Sequence, residues 1–203
     1  MTRPTDEEIE AAAEAALLGR LIVLPTDTVY GIGTRPDDTA ATARLFEAKR
    51  RPRDLELPVL VATMEEAEWV GRLGERARDI ADRFWPGPVT IVVGRAPASA
   101  GWDLGGDPET IGLRIPRHPT ALAVLERTGP LAVTSANLSG RPTPRDCREV
   151  GAQFHGVVAS VLCDERALHG ESSTVVDVSS GRARVLRRGR IPPEELLQGD
   201  RAR

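Results

Sequence analysis

Lys49 is the only lysine among the 27 Lys and Arg residues of this chain, and it stands in the densest basic run, EAKRRPRD, residues 47–54. Pro52 disfavours the α region for Arg51, so a helix ending here should continue as extended chain. Residues two apart in an extended segment project to one side, which turns Lys49 and Arg51 the same way and Arg50 elsewhere. An ammonium beside a planar guanidinium supplies a point charge and a bidentate fork, a pairing suited to a polyphosphate. The same residues at a helix C-terminus also fit a solvated cationic cap. LAVTSANLSG (131–140) ends an apolar run on Ser135 and Asn137, again two apart. At the carboxyl end of a strand in an open sheet, a hydroxyl and a carboxamide can hold phosphate oxygens or a ribose; they can also simply close a turn.

TIGLRIP alternates, with Ile111, Leu113 and Ile115 on one face and Thr110, Gly112 and Arg114 on the other. The first face reads as core. On the second, a glycine between threonine and arginine lets a ligand approach the backbone, and Arg114 can fork a carboxylate; a solvent-facing arginine on a half-exposed sheet fits the same pattern. PTDT (25–28) sets Thr26 and Thr28 on a turn after a short apolar strand, with Asp27 as a turn residue between them. GESSTVVD places Ser172, Ser173 and Thr174 at the entry to a strand, and LRRG adds Arg187. The chain has no GxxxxGK[ST] loop and no GxGxxG, so a bound nucleotide would rely on side chains for its phosphates.

These stretches need a frame. Thr5 with Glu8 forms a capping-box pattern before an alanine-rich helix that stops at Gly19, and Thr63 with Glu66 repeats it before helices reaching Trp85. Helices are also expected near 38–49, 118–129 and 144–153, with a terminal helical turn at IPPEELLQ. LIVL, LPVLVA, PVTIVV, TIGLRI, LAVT and VVASVL read as strands, and TVVDVSSGRARVL as a hairpin turning at Ser180–Gly181. Strands and helices mixed in this order, with an adjacent pair near the end, predict an α/β fold: one domain with a twisted, open, mixed sheet flanked by helices. The expected domain is 5–198, with flexible termini at 1–4 and 199–203. Residues 95–109 form the longest loop and a candidate lid.

Bulk properties narrow the class. Net charge is −3 and aromatics are 3% of residues, which argues against a protein that coats nucleic acid. Cys147 and Cys163 set no framework of bridges, and His118, His155 and His169 are too scattered for a zinc site, so no metal ligands are expected. The acidic start lacks an apolar signal region, and no apolar run approaches the ~18 residues of a membrane helix. A cytoplasmic protein in a reducing compartment is the expectation, with no membrane partner.

Taken together, PTDTVYGIG, KRRPRD, FWPGPVTIVV, TIGLRIPRHP, LAVTSANLSG, SSTVVDV and LRRG resemble the YrdC/Sua5 family of threonylcarbamoyl-AMP synthases, in the family's order over about residues 8–198. The likeness is to the short, single-domain form. It implies a nucleotidyltransferase that converts L-threonine, bicarbonate and ATP to threonylcarbamoyl-AMP and pyrophosphate. Mg²⁺ would arrive with ATP, and no prosthetic group would be tightly bound. By the resemblance, Lys49, Arg51, Ser135 and Asn137 surround ATP, Lys49 and Arg51 as the catalytic pair, with further contacts from Thr110, Thr143 and Arg187. Thr28, Arg114 and Ser173 would recognise threonine. LPVLVA lacks the histidine that many longer members carry there, and Arg188 replaces a usual proline. The product would feed a tRNA-modifying transferase complex. Weak RNA binding by the same fold, or a paralogue with another amino-acid substrate, are the alternative readings.

Overall fold

The computed structural model describes residues 3–144, 146–164 and 170–197. The first half of the chain runs α1 (Asp6–Leu17), β1 (Ile22–Leu24), β2 (Gly31–Thr34), α2 (Thr39–Lys49), β3 (Val59–Leu60), α3 (Met64–Val70), β4 (Gly71–Arg72), α4 (Glu75–Phe84) and β5 (Val89–Arg95). The second half adds β6 (Thr110–Arg114), α5 (Pro119–Thr128), β7 (Leu131–Ser135), α6 (Cys147–Gln153), β8 (Ser160–Val161), β9 (Thr174–Asp177), β10 (Arg184–Arg187) and α7 (Pro193–Leu196). Among the described residues the strands form one sheet in the order β10-β9-β5-β6-β3-β7-β2-β1-β8, with β4 beside β5. The β1–β8, β3–β6 and β5–β9 pairs are parallel and the others antiparallel, which makes the sheet mixed, as expected.

Local signals set the helix starts. Thr5 and Glu8 exchange both capping bonds at α1. Asp38 takes the amides of Ala40 and Ala41 at α2. At α3, Thr63 caps Glu66, but the Glu66 carboxylate returns to the amide of Ala62 instead of closing the box.

Strand alternation then sorts the side chains onto two faces. On one face, Val23, Ile32, Val59, Ile91, Leu113 and Val176 join a large core with residues of α2, α3 and α4. On the other, Ile22, Leu24, Leu131 and Val133 pack under α1 and α5. Those two helices pack chiefly on each other and on the β1, β2 and β8 side of the sheet. Among the described residues no helix packs over the β6–β5–β9 half of this second face, and its side chains line a concave cavity.

Several expectations change. The stretch from Thr63 to Trp85 is interrupted by β4, because Gly71 and Arg72 pair with Arg95 and Gly94 across the sheet. The candidate lid is folded down: the Leu57 amide donates to the Leu104 carbonyl, Gly106 to the carbonyl of Arg53, and Arg53 pairs with Asp103. Leu104 is fully buried, and only Gly106 and Asp107 from this segment reach the cavity wall. Cys147 and Cys163, expected to be unbridged, form a disulfide with Cα atoms 5.5 Å apart, because the start of α6 docks beside the chain leaving β8. No helix among the described residues is long and apolar enough to cross a membrane. His169 and, of the ends expected to be flexible at 1–4 and 199–203, residues 1–2 and 199–203 lie outside the described residues.

Candidate active site

The open half of the sheet floors a cavity of about 960 Å³, at the upper end of the range for small-molecule sites. A single small metabolite would leave most of it empty. Thr110, Gly112 and Arg114 all line it, so the alternation of β6 is as expected, while Ile111 and Leu113 are fully buried on the opposite face. Arg114 is only 6% exposed, which removes the solvent-facing reading.

The guanidinium of Arg114 is held on three sides. It donates through Nε to the Gly87 carbonyl (2.9 Å), through Nη1 to Thr28 Oγ1 (2.9 Å) and through Nη2 to Asp27 Oδ1 (2.6 Å). Asp27, read from sequence as a turn residue, is thus the counter-ion that orients Arg114, and it also accepts from the Arg117 amide. Five N–H groups less three leave Arg114 two donors for a ligand.

Hydroxyls surround this guanidinium. Thr26 donates to the Val29 carbonyl (2.6 Å), so the proton in its 2.9 Å contact with Thr28 belongs to Thr28. Thr28 therefore offers a ligand a lone pair, not a proton. Thr90 and Ser173 share a second buried pair at 2.9 Å. Arg187 donates to both the carbonyl (2.9 Å) and the hydroxyl (3.1 Å) of Ser173.

Cations accumulate toward Arg51. Its Nη2 donates to the Glu56 carbonyl at 2.8 Å, which fixes its reach over the wall. Burial lowers the pKa of Arg51 and repulsion from Arg187 adds to it, against a weaker pull from Asp54. Arg114 is lowered by burial too, with Asp27 opposing and Arg187 reinforcing. Guanidinium groups close enough to repel one another across a cavity are arranged for a polyanion.

Lys49 does not stand beside Arg51 on that wall. Arg50 takes the left-handed region (φ 49°), and the Arg50 and Arg51 amides return to the carbonyls of Glu47 and Phe46, a Schellman turn. The chain reverses at Arg50 instead of extending, so the two-apart parity fails. Lys49 is 1% exposed, and its ammonium donates to the carbonyls of Ser135 and of Asn137, the latter at 2.6 Å. Its own carbonyl accepts from the Ser139 amide. Lys49 therefore fastens the turn that carries Ser135. Burial, with Arg51 nearby, pushes its pKa down to about 7.

Of the remaining expected site residues, Thr110, Ser135 and Ser173 line the cavity, while Asn137 and Thr143 do not. The Asn137 carboxamide serves the turn itself: Oδ1 accepts from Ser135 Oγ (2.6 Å) and Nδ2 donates to the carbonyls of Leu138 and Arg141. Thr143 sits beyond that turn, half-buried.

Sequence reasoning missed Thr90, which a same-face pairing of β5 with β6 would have revealed, and Glu56, which carries no local signal. Glu56 lies on the wall at the Thr110 end with Asp107 and Asp177. Burial raises its pKa to about 8, opposed by Arg95 and reinforced by Asp107 and Asp177. No group of three or more potential metal ligands occurs among the described residues.

Comparison with known proteins locates this arrangement. The model of the Sua5/YciO/YrdC family, described as telomere recombination, matches residues 14–189. A Mycobacterium tuberculosis protein provisionally named a threonylcarbamoyl-AMP synthase is 41% identical over 191 residues, 94% of this chain and 88% of its own. The threonylcarbamoyl-AMP synthase of Escherichia coli is 36% identical over 179 residues, 86% of this chain and 93% of that one. Among solved structures, Pyrococcus abyssi Sua5 complexed with L-threonine superposes with a TM-score of 0.87 at 34% identity, covering 98% of this chain and 59% of that one.

Proposed function

The chain belongs to the Sua5/YciO/YrdC family, and from that premise we propose that its cavity joins L-threonine, bicarbonate and MgATP into threonylcarbamoyl-AMP, releasing pyrophosphate. The activity is that of a threonylcarbamoyl-AMP synthase, as in its named relatives. The observation that carries the reading is the division of the wall. Arg114 is locked by Asp27 with two donors left for a carboxylate, and Arg51 and Arg187, close enough to repel each other, line the same cavity.

In this reading Arg114 forks the threonine carboxylate while Thr28 accepts from the amine, since only its lone pair is unused. The neutral amine attacks the one-carbon unit; bicarbonate loses water, and a carbamate forms. A carbamate oxygen then attacks the α-phosphorus, its bond to the bridging oxygen breaks, and pyrophosphate leaves. Arg51 and Arg187 neutralise charge that builds on the phosphates, each such donor contributing roughly 3 kcal/mol at the barrier. Ser135 gives its hydroxyl proton to Asn137 Oδ1 and so offers a lone pair, which suits a ribose hydroxyl rather than a phosphate oxygen; Lys49 and Asn137 hold its turn from behind. Mg²⁺ enters as part of the nucleotide substrate. The product passes to a transferase complex that modifies tRNA.

The test is pyrophosphate release from ATP and bicarbonate with each amino acid supplied in turn. Threonine dependence is the expected result, and Arg114→Ala should raise the threonine requirement far more than the ATP requirement. Release that ignores the amino acid, or equal effects of Arg114→Ala on both substrates, would remove the assignment.

A further inference from the structure

The site so described anchors an amino acid by its carboxylate and amine, groups common to all amino acids. Discrimination must come from whatever faces the Cβ substituents. The sheet register identifies those positions. Leu60 on β3 pairs with Arg114 in the parallel β3–β6 ladder. On the other side, Ile91 pairs with Leu113 in the antiparallel β5–β6 ladder, which puts Thr90 opposite Arg114. Neighbouring strands lie about 4.8 Å apart, so both side chains are within reach of a ligand seated on Arg114.

All three residues line the cavity, and the two flanks are chemically opposite. Leu60 is 4% exposed and belongs to the apolar cluster under α1 and α5. Thr90 is 3% exposed and bonded to Ser173 Oγ. The Thr90–Ser173 pair holds two hydroxyl protons, and one of them is spent within the pair. Arg187 supplies a third proton from outside by donating to Ser173 Oγ. Whichever hydroxyl donates within the pair, one hydroxyl proton is left over for a ligand.

We propose that Leu60 and the Thr90–Ser173 pair determine side-chain specificity, Leu60 receiving the methyl group of the amino acid and the hydroxyl pair its hydroxyl group. The inference rests on the proposed synthase reading and deepens it. L-Threonine carries one methyl and one hydroxyl on a chiral Cβ, so flanks of opposite polarity select the substituents and their handedness together. Serine leaves the Leu60 side unfilled. Valine and L-allo-threonine each set a methyl against the hydroxyl pair, the mismatch that rejects most strongly because buried polar groups lose their partner.

The experiment measures kcat/KM for pyrophosphate release with L-threonine, L-serine, L-valine and L-allo-threonine at saturating ATP and bicarbonate. It compares the unmodified protein with Thr90→Val, Thr90→Ser and Leu60→Ala, and records unfolding midpoints in parallel. Thr90→Val keeps shape but removes the hydroxyl; its threonine-to-valine ratio should collapse by about 100-fold or more while KM for ATP stays within about twofold. Thr90→Ser should keep that ratio. Leu60→Ala should cut the threonine-to-serine ratio by about 10- to 100-fold, the worth of one methyl contact. Ratios that stay constant in Thr90→Val and Leu60→Ala, while the unmodified protein is threonine-dependent, overturn the specificity assignment alone. An unmodified protein that releases pyrophosphate with no amino acid overturns the synthase reading and this inference with it. Should Thr90→Val fail to fold, the Leu60→Ala ratio and Thr90→Ala decide the same question.

Discussion

Replacing Gly112 by alanine separates what the fold needs from what the ligand needs. A Cβ built there meets Thr90 Cγ2 at 3.4 Å and the Pro58 Cβ and Val92 Cγ2 at 3.7 Å, all ordinary contacts. Each such carbon pair gains about 0.1–0.2 kcal/mol, and restricting the unfolded chain adds about 0.4–1 kcal/mol. The free protein should therefore gain on the order of 1 kcal/mol, which raises Tm by about 2–4 °C for a chain of this size. The methyl nevertheless stands on the cavity face between Thr110 and Arg114, where it displaces bound substrate. A displacement of about 1 Å costs about 10²-fold in turnover. Gly33→Ala is the control, because its Cβ would meet the Ala132 carbonyl oxygen and Val133 Cγ2, both at 2.6 Å. It should lose about 1–3 kcal/mol through overpacking. The assay pairs urea unfolding without ligands with pyrophosphate release. If Gly112→Ala is destabilised as Gly33→Ala is, the glycine serves packing; if its turnover is normal, no ligand lies over β6. Either result refutes the reasoning.

Two further variants probe the cations. Lys49 has a folded pKa depressed to about 7, so between that value and the ordinary lysine range the unfolded chain binds more protons. Stability should rise with pH in that window by up to about 1.4 kcal/mol per unit relative to Lys49→Met, and parallel unfolding curves from pH 6 to 9 would contradict the lowered pKa. Arg187→Ala removes a charge-assisted donor worth about 1.5–3 kcal/mol and should weaken ATP binding by about 10- to 100-fold in calorimetry, with a shallower salt dependence; unchanged affinity would place the triphosphate elsewhere.

How much of this was legible depended on whether the cause was local. The faces of β6, the caps at Thr5 and Thr63 and the hairpin after β9 follow from neighbours in sequence, and each appears where expected. Lys49 misled because its direction hangs on the φ of Arg50, a residue whose type gives no hint of a left-handed turn. The Asp27–Arg114 pair spans 87 residues and the Thr90–Ser173 pair 83, and no pattern within a window reports such partners. The same holds for β4, defined only by the strand it meets, and for the disulfide, which closes after α6 has docked.

The position of β9 has a consequence for how the protein is made. Val89–Val92 of β5 pairs with Thr174–Asp177, so during synthesis this apolar stretch waits with a bare row of amides and carbonyls while more than eighty residues emerge. Such an edge recruits other chains. A ribosome that stalls before residue 174 leaves behind a sticky, chemically silent product, since Ser173 and Arg187 are among the last groups to reach the wall. Completion of the sheet and completion of the catalyst are one event.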